Sequence, residues 1–526
     1  MRSLRTTRLL GGLGVALALA LAAGSYPAAQ AGAGAPKHDG KYKRLLIRNA
    51  MVIYGAKKAP FGPVDILVED GLIARVGPPR QGETADAVID ATGKYVMPGL
   101  VNTHMHWHES RVADVPQPIQ YERNLYLATG TTTTREVGGN TEKSKVWRAE
   151  SAAGKIVAPR ILIWNRPNLG NRSPEAIRAG VRQAKTDGFD GLKIGGLDRD
   201  QLEALLDEAG KQGLCTTTHI GVEETTAQDY IDLGVCSIEH FYGVADAAID
   251  GIQDFPANHN GSNEIHRFGR AGELYAQANP ERLKQVVEQM VEKGVGWSPT
   301  MSIYEASRDP IRNANVPWFR DFLHPSMELF FRPSLDNHGS YFLGWTTAQE
   351  AQWKRNYRIW MDALRHFGIK GGLITTGDDA GYIYSLYGFG MVRELELHEE
   401  AGFHPLEVIQ HATANGARMV GLGDRLGRVR PGYIADLLVV NGNPLQNLRV
   451  LNPYGVDVVM YDGRPVDNYS SLVVGDPKIK VVRGGGIEWT IRDGIPYHVP
   501  TMVAEIKGIV SKDRQTFRNQ LTTEAR

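Results

Sequence analysis

Seven side chains in this sequence could take part in metal chemistry, and three of them, Lys193, His219 and His240, stand about one structural repeat apart. His104 and His106 close the stretch "PGLVNTHMH". Residues two apart on a strand point the same way, so this pair could share one cation. His219 closes "CTTTHI" and His240 closes "SIEHF", 21 residues further on, about one strand-helix-strand repeat. Lys193, in "DGLKIGG", precedes His219 by 26 residues, and Asp378 and Asp379 end "TTGDDAG". Imidazoles with an acid suit a divalent ion, which can polarise a carbonyl and acidify water.

Each signal has a bland reading. The chain has 15 histidines, so a chance His-x-His pair is unsurprising. A lone histidine at a strand end is more often a hydrogen-bonded core or rim residue. Four histidines at three strand ends reverse that preference. An unmodified Lys193 ammonium, with an ordinary pKa of about 10.4, would repel a cation. Either it pairs with an acid such as Asp198, or its amine becomes an anion. One of Asp378 and Asp379 could be a ligand and proton shuttle, while the alternative makes both turn or helix-capping residues. His108 reads as a rim residue rather than a third ligand of the first set.

The elements that must position these groups follow from the period of the apolar residues. Residues 44 to 96 read as short strands, and a similar texture returns in "IADLLVVNGNPL", "VDVVMYDGRPV" and "IEWTIRDGIPY". Between them, eight short apolar segments alternate with helix-length amphipathic ones: "GLVNTHMH", "TTTTREVG", "RILIWN", "GLKIGG", "CTTTHI", "SIEHF", "GVGWSPT" and "GLITTGDD". Eight is the number that closes a (β/α)8 barrel, whose chemistry sits at the C-terminal ends of the strands. The expected fold class is α/β, a TIM-like barrel with a small β-sandwich domain built from both chain ends. The expected divisions are a signal peptide over 1–31, sandwich segments over 32–96 and 421–500, and the barrel over 97–420. Insertions over 241–280 and 301–350 interrupt the barrel, and 501–526 is a tail.

Composition narrows the functions. Arg2, Arg5 and Arg8 precede the apolar run Leu9 to Ala23 and the small residues ending Ala29-Gln30-Ala31. This is the pattern of a cleaved secretory signal, and the run is shorter than the roughly 20 residues a spanning helix needs. A secreted or periplasmic protein without a stable membrane anchor is expected. Loss of three arginines takes the formal charge from 0 to −3, which gives no reason to expect nucleic acid as a partner. A small-molecule substrate is expected instead, with self-association left open. The two cysteines, Cys215 and Cys236, exclude a disulfide scaffold, and free thiols packed on neighbouring strands are expected.

Taken in order and strand placement, His104-x-His106, Lys193, His219, His240 and Asp379 resemble the metal-dependent amidohydrolase superfamily. Three flanking segments add to the likeness: "VIDATGKYVMPGLVNTHMH", "GDDAG" and "HPLEVIQHATANGARMVGLGDRLGRVRPGYIADLLVV". "GTTTTREVGG", "GLKIGG" and "SIEHFYG" are most similar to its prolidase-like and imidazolonepropionase-related branch. The resemblance implies two divalent ions, zinc expected, bridged by a carboxylated Lys193. It implies that Asp379, second after Gly377, is the family aspartate and the catalytic proton shuttle, and that a hydroxide held between the metals is the nucleophile.

The leading expectation is hydrolysis of a C–N amide bond in a dipeptide, an N-acyl amino acid or an aryl amide. A lactone, phosphotriester or cyclic amidine on the same site is the alternative, and a non-enzymatic binding protein the third reading. Tyr242, just past His240, is a candidate substrate hydrogen bonder. Arg135 could bind a substrate carboxylate or serve only as a structural ion pair. Aromatic residues are dense in 301–350, from Tyr304 to Trp345, as a lid or a packed excursion would require.

Overall fold

The computed structural model describes residues 34–112, 115–220, 225–251, 257–260, 263–334, 338–466 and 475–524. The expected signal peptide lies outside the described residues. Among those residues no helix is long and apolar enough to cross a membrane.

The amino-terminal strands are β1 (Arg44–Val52), β2 (Phe61–Glu69), β3 (Leu72–Gly77), β4 (Ala87–Asp90) and β5 (Tyr95–Pro98). Two parallel groups follow: β6 (Leu100–Met105), β7 (Thr131–Glu136) and β8 (Arg160–Ile163), then β9 (Gly191–Ile194), β10 (Cys215–Thr218), β11 (Ser237–Glu239) and β12 (Gly296–Ser298). The carboxy-terminal strands are β13 (Leu437–Asn441), β14 (Val456–Tyr461), β15 (Arg464–Pro465), β16 (Ile479–Gly484), β17 (Gly486–Arg492) and β18 (Ile495–His498).

Both chain ends meet in one mixed eight-stranded sheet, in the order β18-β17-β13-β5-β1-β2-β3 with β4 beside β1. The seam is antiparallel, Val439 opposite Val96 and Leu437 opposite Pro98. Leu45, Ile47, Ile66, Val96, Val439 and Trp489 fill its core. Strands β15, β14 and β16 form a separate three-stranded antiparallel sheet.

The central strands are buried along their length, with every residue of β6, β7, β9, β11 and β12 inside. Such strands must be covered on both faces; the intervening helices pack against one, and side chains such as Thr103, Arg135, Glu239 and Ser298 meet on the other. Pro174–Thr186 starts at Ser173, whose side chain accepts from Ala176 N at 3.3 Å, and turns Ile177, Val181 and Ala184 inward. Arg199–Gln212 stops at Gly213, whose φ of 62° suits glycine.

The two parallel groups are linked at both margins. Asp190 N donates to Ile163 O at 2.8 Å, joining β8 to β9. Beyond β12, Trp297 N donates to Leu373 O at 2.9 Å, and Thr103 N of β6 donates to Thr376 O at 2.9 Å. The eighth expected strand, "GLITTGDD", makes a single parallel bridge, Ile374 to Trp297, rather than a ladder.

The insertions pack as short helices over the strand ends. Tyr304, Phe322, Phe331 and Tyr341 are buried, and Phe268 stacks on Tyr341 with ring centroids 4.1 Å apart. Glu305 fastens this cover, accepting from Arg393 Nε at 2.8 Å and Arg312 at 3.1 Å. Residues expected as a tail belong to the helix Val499–Glu524. Val499, Met502, Ile506 and Val510 form its buried stripe, and Asp513 meets His324 of the second insertion at 2.9 Å.

Cys215 and Cys236 are not free thiols: they form a disulfide. They flank β10 and β11, where the pairing of Thr217 with Ser237 brings their Cα atoms to 5.7 Å, within bridging range. The general objection to disulfides between parallel neighbours fails because each cysteine sits at a strand start. Closing a loop of 21 residues contributes about 3 kcal/mol in the chain-entropy picture. Denatured protein without reductant should therefore titrate no thiols, and Cys215→Ser should lower the unfolding free energy in urea by about that amount. Two titratable thiols, or an unchanged urea midpoint, would refute the bridge.

Candidate metal centre

All six residues singled out in the sequence line one cavity of about 680 Å3: His104, His106, Lys193, His219, His240 and Asp379. They arrive from the ends of β6, β9, β10 and β11 and from the segment beyond Ile374. His240 and Asp379 have φ of 64° and 43°, in the left-handed region, where the backbone turns out of its strand direction. Asp379 N donates to His104 O at 2.9 Å, tying the sixth residue to the first. A Cβ on Gly377 would fall 2.8 Å from the His104 backbone nitrogen, so glycine is what lets these segments approach.

The distances gather the groups around one centre. Asp379 Oδ1 lies 3.3 Å from His106 Nε2 and 3.6 Å from His104 Nε2, and its Oδ2 lies 3.9 Å from His240 Nε2. Lys193 Nζ is 3.5 Å from His104 Nε2. The rings of His219 and His240 are 4.6 Å apart, as are those of His104 and His240. His104, His106 and Asp379 offer ligand atoms within 4.8 Å of one another, a donor set of two imidazoles and a carboxylate that fits a divalent ion.

Electrostatics sort the group by charge. Burial pushes His104 down to about 4, with Lys193 adding to the effect. Burial holds His219 and His240 well below their ordinary value too. These are neutral imidazoles at pH 7, the form that binds metal. Burial alone would raise Asp379, but His104 and His106 beside it bring it down to about 2. Lys193 falls to about 8 through burial, against the pull of Glu239 and Asp379.

Beneath the cavity lies a buried network that sequence reasoning missed. Glu239 is completely buried, its Oε2 accepting from His104 Nδ1 at 2.6 Å and its Oε1 from Arg135 Nη2 at 2.6 Å. Thr217 and Ser237 hydroxyls donate to the same carboxylate. Burial would raise Glu239, yet Arg135 and His104 hold it well below the usual carboxylate range. An acid and an arginine inside wholly buried strands were the available signal, since such charges occur inside only when paired.

Arg135 is therefore not a substrate-binding residue. Its guanidinium is fully buried under the cavity, donates to Thr103 O and lies 4.9 Å over the Trp164 ring. Tyr242 does line the cavity, its ring 4.9 Å from His219 and its hydroxyl pushed up to about 12 by burial. Asp378 points away from the cavity, accepting from Asn102 Nδ2 at 2.7 Å and Gly388 N at 3.1 Å. His108 is bound between Tyr382 and Tyr387 hydroxyls at 3.1 and 3.3 Å, outside the group. Tyr304, from the aromatic segment expected as a lid, also lines the cavity, as do Arg166, Arg172, Arg267, His338 and Tyr382, which the sequence did not single out.

The Amidohydrolase family model matches residues 350–466. The chain is 24% identical over 454 residues to a 5-methylthioadenosine/S-adenosylhomocysteine deaminase of Desulforudis audaxviator, covering 80% of this chain and 93% of that protein. It is 47% identical over 64 residues to an imidazolonepropionase of Salinispora arenicola, covering 12% of this chain and 15% of that one. Among solved structures, a Xaa-Pro dipeptidase with methionine bound in its active site is similar at a TM-score of 0.58 and 18% identity, over 86% of this chain and all of that one. At that identity the likeness speaks for the fold.

Two outcomes follow. Glu239→Gln would leave Arg135 buried without its counterion, at a cost of about 3 to 5 kcal/mol, read by chemical denaturation. Neutral buried histidines bind protons only after the unfolded chain does, so stability of chelator-treated protein should fall as pH drops from 6.5 toward about 4. The slope is about 1.4 kcal/mol per pH unit for each such histidine, and equal urea midpoints at pH 7 and pH 5 would contradict it.

Proposed function

We propose that the chain, similar to the amidohydrolase family over residues 350–466 and to a deaminase over most of its length, is a hydrolase of carbon–nitrogen bonds, and more narrowly an exported amide hydrolase working at a binuclear metal centre. Its substrate class is a dipeptide, an N-acyl amino acid or an aryl amide. The seven parallel strands and the Ile374 segment are read as one (β/α)8 barrel. The observation that carries the reading is the convergence of six ligand-type side chains, from five separate segments, on one cavity.

His104, His106 and Asp379 would hold one ion and His219 and His240 the other, with a carboxylated Lys193 between them. When bound, two divalent ions, zinc expected, supply Lewis acidity toward the scissile carbonyl and lower the pKa of water. The protein's own residues set the rest. Lys193 near a pKa of about 8 has a neutral amine fraction at neutral pH, the form that adds to carbon dioxide, losing one proton to give a carbamate. Asp379, kept ionised by His104 and His106, can accept a proton from water and return it to the leaving amine. Glu239 fixes the His104 tautomer by accepting a hydrogen bond from Nδ1–H, which turns the Nε2 lone pair toward the cavity. Tyr242 stays protonated and can donate to the substrate.

Export rests on the amino-terminal sequence, and the Cys215–Cys236 disulfide agrees with an oxidising compartment. The deaminase relative favours a second reading, removal of an amino group from a cyclic amidine on the same residues.

A panel of dipeptides, N-acyl amino acids, aryl amides and cyclic amidines, assayed with zinc and bicarbonate, separates these. Chelation should abolish turnover and zinc should restore it. Asp379→Asn should lower kcat/KM by about a hundredfold to ten-thousandfold while the far-ultraviolet spectrum is kept. Turnover that survives chelation, or an Asp379→Asn enzyme as fast as the parent, would remove the proposal.

A further inference from the structure

The walls of the cavity carry charge of one sign. Arg166, Arg172 and Arg267 line it, and Asp379, already assigned to the centre, is the one carboxylate among the described lining residues. Arg267 has company: its Nη2 lies 3.4 Å from His219 Nε2, and Glu264 and His338 pair nearby at 2.9 Å. Arg166 and Arg172 differ. Their guanidinium groups make no hydrogen bond or ion pair among the described residues, and both extend from the segment that follows β8.

That segment is anchored at the level of the centre. Lys193 N donates to Asn165 O at 3.2 Å, and Asn165 Nδ2 donates to Gly139 O and Thr141 Oγ1, each at 2.7 Å. Arg166 is the next residue, so its backbone is fixed one step from the strand carrying Lys193. Behind the two arginines lies a second space of about 100 Å3, lined by Pro167, Leu169, Ile194, Leu197 and Leu205. Arg166, Arg172, Lys193 and Gly195 line both spaces and stand where they join. A Cβ on Gly195 would touch nothing within 4 Å, so no neighbouring atom crowds that shared position.

Two unpaired guanidinium groups beside a small aliphatic recess define a ligand: a carboxylate attached to a carbon that also bears a short apolar chain. A substrate ammonium, as on a free dipeptide, would find three arginines and no free acid along the described walls. We propose that the cavity takes an N-acylated amino acid with a free carboxylate and an aliphatic side chain, Arg166 and Arg172 holding the carboxylate and the recess holding the side chain. This rests on the amide-hydrolase reading and narrows its substrate class. The acyl group then lies toward Tyr242 and Tyr304, and the scissile amide between the two ends faces Asp379.

The test compares N-acetyl-leucine, N-acetyl-leucinamide and glycyl-leucine with the zinc-loaded enzyme. N-acetyl-leucine should exceed its carboxamide in kcat/KM by about tenfold to a hundredfold, the loss expected for a missing charged hydrogen bond, and should exceed glycyl-leucine as well. N-acetyl-tryptophan should be poorer than N-acetyl-leucine, because the indole exceeds the recess. In Arg166→Gln/Arg172→Gln the preference of acid over carboxamide should collapse, chiefly through KM. A second measurement does not depend on turnover. 4-Methylpentanoate, titrated calorimetrically, should bind the parent protein and lose about tenfold or more in affinity in the double variant, while 4-methylpentanamide binds both weakly. If no amide is cleaved but 4-methylpentanoate binds and depends on the arginines, the hydrolase reading fails and the acid site stands. Equal rates on acid and carboxamide, faster cleavage of glycyl-leucine, or binding indifferent to the arginines overturns the proposal.

Discussion

A guanidinium and a carboxylate with no exposure to solvent lie directly beneath the cavity, and the arrangement above depends on their being paired. Taking either charge out of water costs several kcal/mol, which only close, fully hydrogen-bonded contact offsets. Glu239 meets that condition with four donors, from Arg135, His104, Thr217 and Ser237. Those donors come from β7, β6, β10 and β11, so one carboxylate fixes the relative height of four strands. The same contact decides which nitrogen of His104 carries its proton. A strand pairing slipped by one residue would break the network and aim His104 elsewhere. The fold and the centre are thus specified together, at a single buried point.

Above that point the requirements reverse. Desolvation keeps His219 and His240 neutral, His240 buried and His219 half-buried, and Arg267, Phe268, Ile303 and Tyr304 of the two insertions line the same cavity. The cover is itself held by charge, Glu305 against Arg393 and Arg312, and by the terminal helix through Asp513 and His324. Tyr304 sits in the same cover, its ring 5.5 Å from that of His240. Packing of the insertion therefore contributes to the chemistry of the centre, through the dielectric around it, as well as to the shape of the substrate space.

Much of this was legible in the sequence because strand ends are local features. The two-residue spacing of His104 and His106, and the repeat-length spacing of Lys193, His219 and His240, survive folding unchanged. Their common cavity follows once the parallel order is known. The sequence was less informative where facing mattered. A strand buried on both sides has no polar face to give its orientation, so Arg135 in "TTTTRE" read equally well as reaching the substrate or the interior. The cysteine pairing was not legible, because average parallel-strand geometry disfavours a bridge, whereas this one depends on two particular strand starts. Arg166 and Arg172 were invisible for a third reason: they follow a strand end in a segment without period, and only the neighbouring β9 shows what they face.

The contrast between Arg135 and the pair Arg166 and Arg172 shows why burial, and not residue type, assigns these side chains their parts. Arg135 cannot exist without Glu239, since an unpaired guanidinium at that depth would unfold the region before it bound anything. Arg166 and Arg172 stand in the exposed part of the cavity wall, where water satisfies them at little cost and an arriving anion can replace that water. A charge already spent on an internal partner contributes stability and no recognition, while a charge left solvated contributes recognition and little stability. The chain places the first kind under the centre and the second kind along its approach, and the aliphatic recess beside the second kind adds selectivity that charge alone cannot supply.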